Sequence, residues 1–187
     1  MSTAVWIVLV VVVLLGGWLV LTYNRFVALR NIVAESWRQI DVELHRRHDL
    51  IPNLVETVKG YAAHERAVFD EVTRLRAVAA EPGSSPAQQA EQENALGRAL
   101  GRLFAVAEAY PALKASTNFL ELQSQLGETE DRIAAARRFY NANVRSLNTR
   151  CESFPSNVVA SWFRFGKAEY FEVDDPTVRA VPTVDFG

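Results

Sequence analysis

Three histidines and their acidic neighbours are the residues of this chain best suited to chemistry. His48 is followed by Asp49, and His64 by Glu65. Asp41, His45 and His48 recur at intervals of four and three, which on a helix aligns a carboxylate and two imidazoles on one face. Such a face could take a metal ion or a small ligand, and a metal- or ligand-sensing helical bundle using His48/Asp49 and His64/Glu65 is the alternative reading of the chain. Against that stand Arg46 and Arg47, whose charges repel a cation beside two of these ligands. No HExxH string and no Glu-x-x-His pair of the di-iron type accompanies them. The residues therefore predict no bound metal and no cofactor. Nucleophilic chemistry finds no support either, because the chain has no GxSxG elbow and no glycine loop built to cradle phosphate. Cys151 is the single cysteine, so an intramolecular disulfide and a CxxC site are excluded, and a lone thiol on a helix reads as a small core residue.

A second polar group centres on Pro52: Arg46, Arg47, His48, Asp49 and Asn53. An interior proline leaves a backbone carbonyl without its donor, so these side chains can serve the proline bend and pair across a bundle. They also form a candidate interaction surface for a partner or for neighbouring copies.

The elements that must position these groups follow from charge and hydropathy. Residues 1–24 contain no Asp, Glu, Lys or Arg; Arg25 is the first charged side chain. Ala4 to Thr22 reads AVWIVLVVVVLLGGWLVLT, an uninterrupted apolar run within the roughly 17–25 residues that cross a bilayer as a helix. It lacks the basic start and the A-x-A-like exit of a signal peptide, and no cysteine follows for a lipid anchor. Trp6 at one end and Trp18 with Tyr23 at the other suit two membrane interfaces. Basic residues lie downstream of the run, Arg25 and Arg30 nearest, and none lies upstream. That asymmetry predicts an external N-terminus and a cytoplasmic body in a single-pass protein of the cell (inner) membrane. The net charge of -2 and the mixing of both signs speak against nucleic acid as a partner.

After Arg25 apolar residues recur in steps of three and four. Phe26, Leu29, Val33, Trp37, Ile40, Leu44, Ile51, Leu54, Val58, Tyr61, Val68, Val72, Leu75 and Ala79 form one seam, broken at Arg47 and Glu65. The phase survives Pro52, so the pattern favours one long coiled-coil-like helix to about residue 80, bent at the proline, over a fresh helix with Asp49 as N-cap and Pro52 in its first turn. EPGSSP (81–86) ends it, and Ser85, Pro86 and Gln88 announce the next helix as N-cap, first residue and capping-box partner. That helix carries Leu96, Leu100, Leu103, Ala107 and Tyr110, with Gly97 and Gly101 placed to admit a close neighbouring backbone. After Pro111 comes a third stripe, Phe119 to Phe154, with Glu128, Asp131, Arg138 and Arg145 on the opposite face. Residues 157–165 predict a short further helix, and the chain from Ala168 reads as an extended tail.

The expected fold is all-α: a transmembrane anchor (1–22), an antiparallel helical bundle of about four helices (23–166) and an extended tail (167–187). Its partners would be the lipid bilayer and other membrane proteins, or further copies of the chain.

Several strings also resemble a known family. YNRFVALRNIVAESWRQIDVELHRRHDLIPNLVETVKGYAAHE (23–65), RLFAVAEAYPALKASTNFLELQSQL (102–126), TEDRIAAARRFYNANVRSLN (129–148), FPSN (154–157), YFE (170–172) and RAVPTVDF (179–186) are similar to the LemA family, the run RRHDLIPNLVETVKGYAAHE most specifically. The resemblance covers nearly the whole chain. It implies a bacterial membrane-anchored protein with one N-terminal span, a helical-bundle body and no enzymatic activity. Two positions depart from the family pattern: Phe163-Arg164-Phe165 stands where FGF is usual, and His45 where Lys or Gln is expected.

Overall fold

In a computed structural model the described residues are 2–172. The structure is all-α, with six helices and no strand among these residues. Helix α1 spans Thr3–Lys59, α2 Arg66–Ala79, α3 Pro86–Glu108, α4 Pro111–Lys114, α5 Thr117–Glu152 and α6 Ser156–Phe163. The chain divides into two compact units. Of the described residues, the first holds those up to Glu43 with Arg132–Tyr170, and the second holds Leu44–Asp131 with Phe171 and Glu172.

α1 runs through Pro52 without interruption, as the unbroken phase predicts. It does not reach residue 80. The helix stops at Lys59, just before Gly60, and α2 starts afresh after Glu65, whose side chain makes no capping hydrogen bond. Tyr61 accordingly leaves the seam and is 47 % exposed. The seam also shifts by one residue earlier on: Ser36, not Trp37, occupies the buried position. Its hydroxyl donates to the carbonyls of Ile32 and Val33, which satisfies the polar atom inside the helix. The start of α3 follows the sequence signal closely. The Gln88 N–H donates to Ser85 Oγ, and Gln88 Oε1 accepts from the Ser85 N–H.

In the first unit, Phe26, Leu29, Val33 and Ile40 of α1 are buried together with Tyr140, Val144 and Leu147 of α5. Tyr140 packs its ring 5.4 Å from Trp37 and donates its hydroxyl to the Glu169 carbonyl at 2.8 Å. Burial, and next the Glu169 charge, push the phenol up from 10.0 to about 12. Asn148 pairs with both backbone groups of Ala168, so the tail at 168–169 lies along α5. Pro176, Pro182, Val184 and Phe186, placed in the same tail by the sequence, lie outside the described residues. The α5 stripe ends sooner than its spacing suggests: the helix stops at Glu152, and Phe154 is exposed. Cys151 is half-buried against the Phe165 and Gly166 carbonyls, and burial pushes its thiol up, away from a reactive thiolate.

α6 closes with a tight left-handed turn even though glycine is absent. Arg164 adopts φ 58°. The Phe165 N–H reaches the Ala160 carbonyl and the Arg164 N–H the Ser161 carbonyl, the paired bonds of a Schellman motif. The departure from FGF therefore preserves the turn and places an arginine in a conformation that glycine adopts without strain.

In the second unit, Ile51, Leu54 and Val58 of α1 meet Phe69 and Val72 of α2, Leu96 and Leu103 of α3, Leu113 of α4, and Phe119 and Leu122 of α5. Each such side chain contributes about 1.5–3 kcal/mol by leaving water. The Asn118 amide donates to Thr57 Oγ1, and Arg47 meets Glu130. As the α1 number falls, the α5 number rises, so these two helices are antiparallel here.

Candidate functional site

The polar residues around Pro52 separate into an inner and an outer set. Arg47 and His48 are buried, at 6 % and 4 % exposure, whereas Arg46, Asp49 and Asn53 are exposed. Helical geometry dictates the split, because 46, 49 and 53 share one face and 47 and 48 turn toward the core.

The inner pair converges on Glu93 of α3, a carboxylate with 1 % of its side chain exposed. Arg47 Nη1 donates to Oε2 at 3.0 Å, and His48 Nε2 lies 2.9 Å from Oε1. A carboxylate only accepts, so this nitrogen carries the proton. Gln89, one turn earlier on α3, donates its amide to Oε1 at 3.0 Å and to the Ala79 carbonyl at 2.8 Å. Glu93 thus receives three donors, which is what a buried carboxylate requires. The guanidinium of Arg47 also reaches α5, with Nε 2.9 Å from Glu130 Oε1. That contact is charge to charge; the Nε–H is not aimed at the oxygen, and Nε has no hydrogen bond. Burial pushes the Glu130 carboxyl up, Arg47 draws it back down, and Glu93 and Asp131 push it up again.

Pro52 lacks the N–H that would reach the His48 carbonyl four residues earlier. Arg76 of α2 fills that place, its Nε donating to this carbonyl at 3.1 Å. The backbone group freed by the proline is therefore served from another helix, not from the surrounding cluster.

Gly97 faces the network, but the network does not need a glycine there, since an added Cβ would make an ordinary contact, 3.5 Å from Arg47 Nη2. The neighbour it faces is a side chain, not the backbone expected from the glycine spacing, and at Gly101 nothing lies within 4 Å.

Asp41 and His45 do not join His48 in a ligand set. Among the described residues no group of three or more His, Cys, Asp or Glu side chains could hold a metal ion. His64 is exposed and Glu65 half-buried at the start of α2. A cleft of about 80 Å³ between Phe104, Ala107, Phe119 and Leu120 falls well short of the roughly 300–1,000 Å³ of a metabolite pocket.

Glu93, Gln89 and Arg76 escaped the sequence reading. A signal for the first two existed. Gln89 and Glu93 continue the Leu96–Leu100–Leu103 stripe toward the N-terminus of α3, so they are polar residues on an apolar face. Such a pair, set against the misplaced Arg47 of α1, marks a buried charge partnership.

A family model described as the LemA family matches residues 36–186. Among curated proteins, magnetosome protein MamQ 2 of Paramagnetospirillum magneticum is 29 % identical, covering 82 % of this chain and 66 % of its own length. Magnetosome protein MamQ of Magnetospirillum gryphiswaldense is 26 % identical, with 82 % and 65 % covered. Protein LemA of Metamycoplasma hominis is 25 % identical, with 83 % and 75 % covered. The chain spans just under two thirds of the length of the MamQ proteins it matches.

Proposed function

The chain belongs to the LemA family, and on that premise we propose that it is a non-catalytic interaction module anchored in the cell membrane. It crosses once through the N-terminal run, with the N-terminus outside, and holds its helical body in the cytoplasm. The body offers the outer side of α1 to other membrane proteins or to further copies of the chain. The anchor is supported by the length and composition of the run, whose apolar residues stand exposed. The orientation is supported by Arg25 and Arg30, which follow the run directly.

The observation that carries the contact surface is the split within two turns of α1. Arg46, Asp49 and Asn53 form an exposed polar stripe, while Arg47 and His48 directly behind it are fixed to α3 through Glu93. A stripe held from behind loses little conformational freedom when a partner binds. The buried acids and bases are committed to each other, which favours a structural role over acid–base catalysis.

Photoreactive residues at Asp49 and Asn53 of the full-length protein in its native membrane test the surface. Discrete covalent adducts are expected. Absence of adducts at both sites, with a monomer in mild detergent, overturns the reading. Orientation is tested with Thr3→Cys and a membrane-impermeant thiol reagent: labelling of intact cells is expected, and a protected thiol contradicts it.

A further inference from the structure

The end of the first unit carries apolar surface that the fold leaves bare. Phe154 is 82 % exposed, Trp162 73 %, Val158 54 % and Phe163 43 %. Four large apolar side chains within ten residues exceed scattered surface hydrophobicity. The same short helix buries Val159 and Ala160, so its inner face is packed and its outer face is free of protein.

The level of this patch along α1 is fixed by ring contacts. Phe163 meets Tyr23 edge-on at 4.9 Å, and Phe165 stacks on Phe26 at 4.8 Å. Tyr23 and Phe26 flank Arg25, where the apolar run gives way to charge. The pairing of Trp37 with Tyr140 gives the same level independently. A dozen residues further along α5 brings its end at Glu152 level with Arg25, at about 1.5 Å per residue on both antiparallel helices. The exposure of α1 agrees: residues 3–18 stand exposed, and cover begins in the last turn of the run, with Leu19 half-buried and Thr22 buried.

We infer that α6 and the turn before it form a second, interfacial contact with the membrane. Phe154, Val158 and Trp162 enter the boundary between lipid headgroups and acyl chains beside the point where α1 enters the bilayer. The occupant is lipid because the patch adjoins the apolar run, whose own surroundings are acyl chains. Eight residues of helix are far too short to span, and a helix apolar on its outer face lies in the interface plane. Tryptophan favours that depth. Exposed Arg25, Arg30 and Arg164 supply cationic groups at the level of lipid phosphates, the Arg30 guanidinium lying 5.6 Å from the Phe165 ring centre. Arg164 occupies a left-handed position that glycine would hold without strain, and an arginine there adds a charge at the headgroups. The inference rests on α1 crossing the bilayer, and the test separates the two.

Full-length protein is placed in vesicles of phosphatidylcholine and phosphatidylglycerol, the phosphatidylcholine brominated near the headgroup end of its acyl chains. One form keeps Trp162 as its sole indole (Trp6→Phe, Trp18→Phe, Trp37→Phe); a second keeps only Trp18. Trp162 emission is expected to be blue-shifted and quenched by brominated lipid to a degree similar to Trp18. Quenching of Trp18 with Trp162 reached only by aqueous acrylamide overturns the inference and leaves the anchor standing. Trp162 shielded from both lipid and acrylamide also overturns it, because protein then covers the patch. Loss of quenching at both positions removes the inference together with the anchor. Should the Phe substitutions disturb folding, a nitroxide on Ser161→Cys in a Cys151→Ser form reads the same contrast, with oxygen collisions expected to outweigh those of a water-soluble nickel complex; the reverse ratio overturns it.

Discussion

α1 holds its neighbours by rings in the first unit and by charge in the second. Around Tyr23, Phe26 and Trp37 the contacts are aromatic, with ring centres 4.8–5.6 Å apart. Around Arg47 and His48 a buried Arg47–Glu93 ion pair, joined by His48, sits beside a core of mixed aliphatic and aromatic side chains. The two chemistries place different demands on the chain. Ring contacts tolerate several offsets and angles, so they secure burial without demanding one alignment. A buried carboxylate with three donors accepts one alignment only, because a displaced α1 would leave charge unpaired in the core. The second unit thus gains a fixed pairing of α1 with α3, and that pairing holds the outer stripe in place.

The sharpest way to break this contrast is to remove the acceptor. Glu93→Ala strands Arg47, His48 and Gln89 together and is expected to lower stability by about 3–5 kcal/mol in thermal or denaturant unfolding. Replacing Arg47 and Glu93 together by Met and Leu is expected to cost far less, since an apolar pair leaves no buried charge. An equal loss from both variants would mean that the network acts through its packing and not its charge.

A smaller effect isolates the proline. Arg76→Gln removes the donor to the His48 carbonyl and is expected to cost about 1–2 kcal/mol. In a Pro52→Ala background, where residue 52 regains its N–H, that cost should fall toward zero, and a double-mutant cycle reads the difference.

The first unit yields less to any single change. Tyr140→Phe removes one hydrogen bond, to the Glu169 carbonyl, and is expected to cost about 1 kcal/mol. The pH dependence carries a definite sign. The folded state holds the phenol neutral to about 12, whereas the unfolded chain ionises near 10.0. The stabilisation is therefore fully present below the unfolded value and lost as pH rises through the folded one. Alkaline unfolding curves should show that slope in the parent protein and lack it in the phenylalanine form. Smallest of all is Gly101→Ala, at an open helical position, expected to add about 0.5–1 kcal/mol through helix propensity.

Much of the fold could be read from the sequence because its signals are local. The apolar run, the Ser85–Gln88 capping box and the three-and-four spacing each act within a few residues. The end of α1 at Lys59 was hidden because apolar spacing continued in phase across a turn that Gly60 only hints at. The buried network was half visible: Arg47 stood out as a charge in a seam, but its partner lay 46 residues away on another helix. Spacing on one helix says which residues turn inward; it does not say what they meet. The same limit explains Arg76, whose role exists only because Pro52 withholds an N–H on a different helix.

The account turns on two turns of α1 doing separate work, locking inward and making contact outward. Reversing charge on the outer face, Arg46→Glu with Asp49→Lys, and measuring both melting temperature and photo-cross-linking from Asn53 in the full-length membrane protein tests that division directly. The account predicts stability within about 0.5 kcal/mol of the parent, as for surface changes away from the core, together with loss of the adduct. A large drop in stability, or an adduct that survives unchanged, would contradict it.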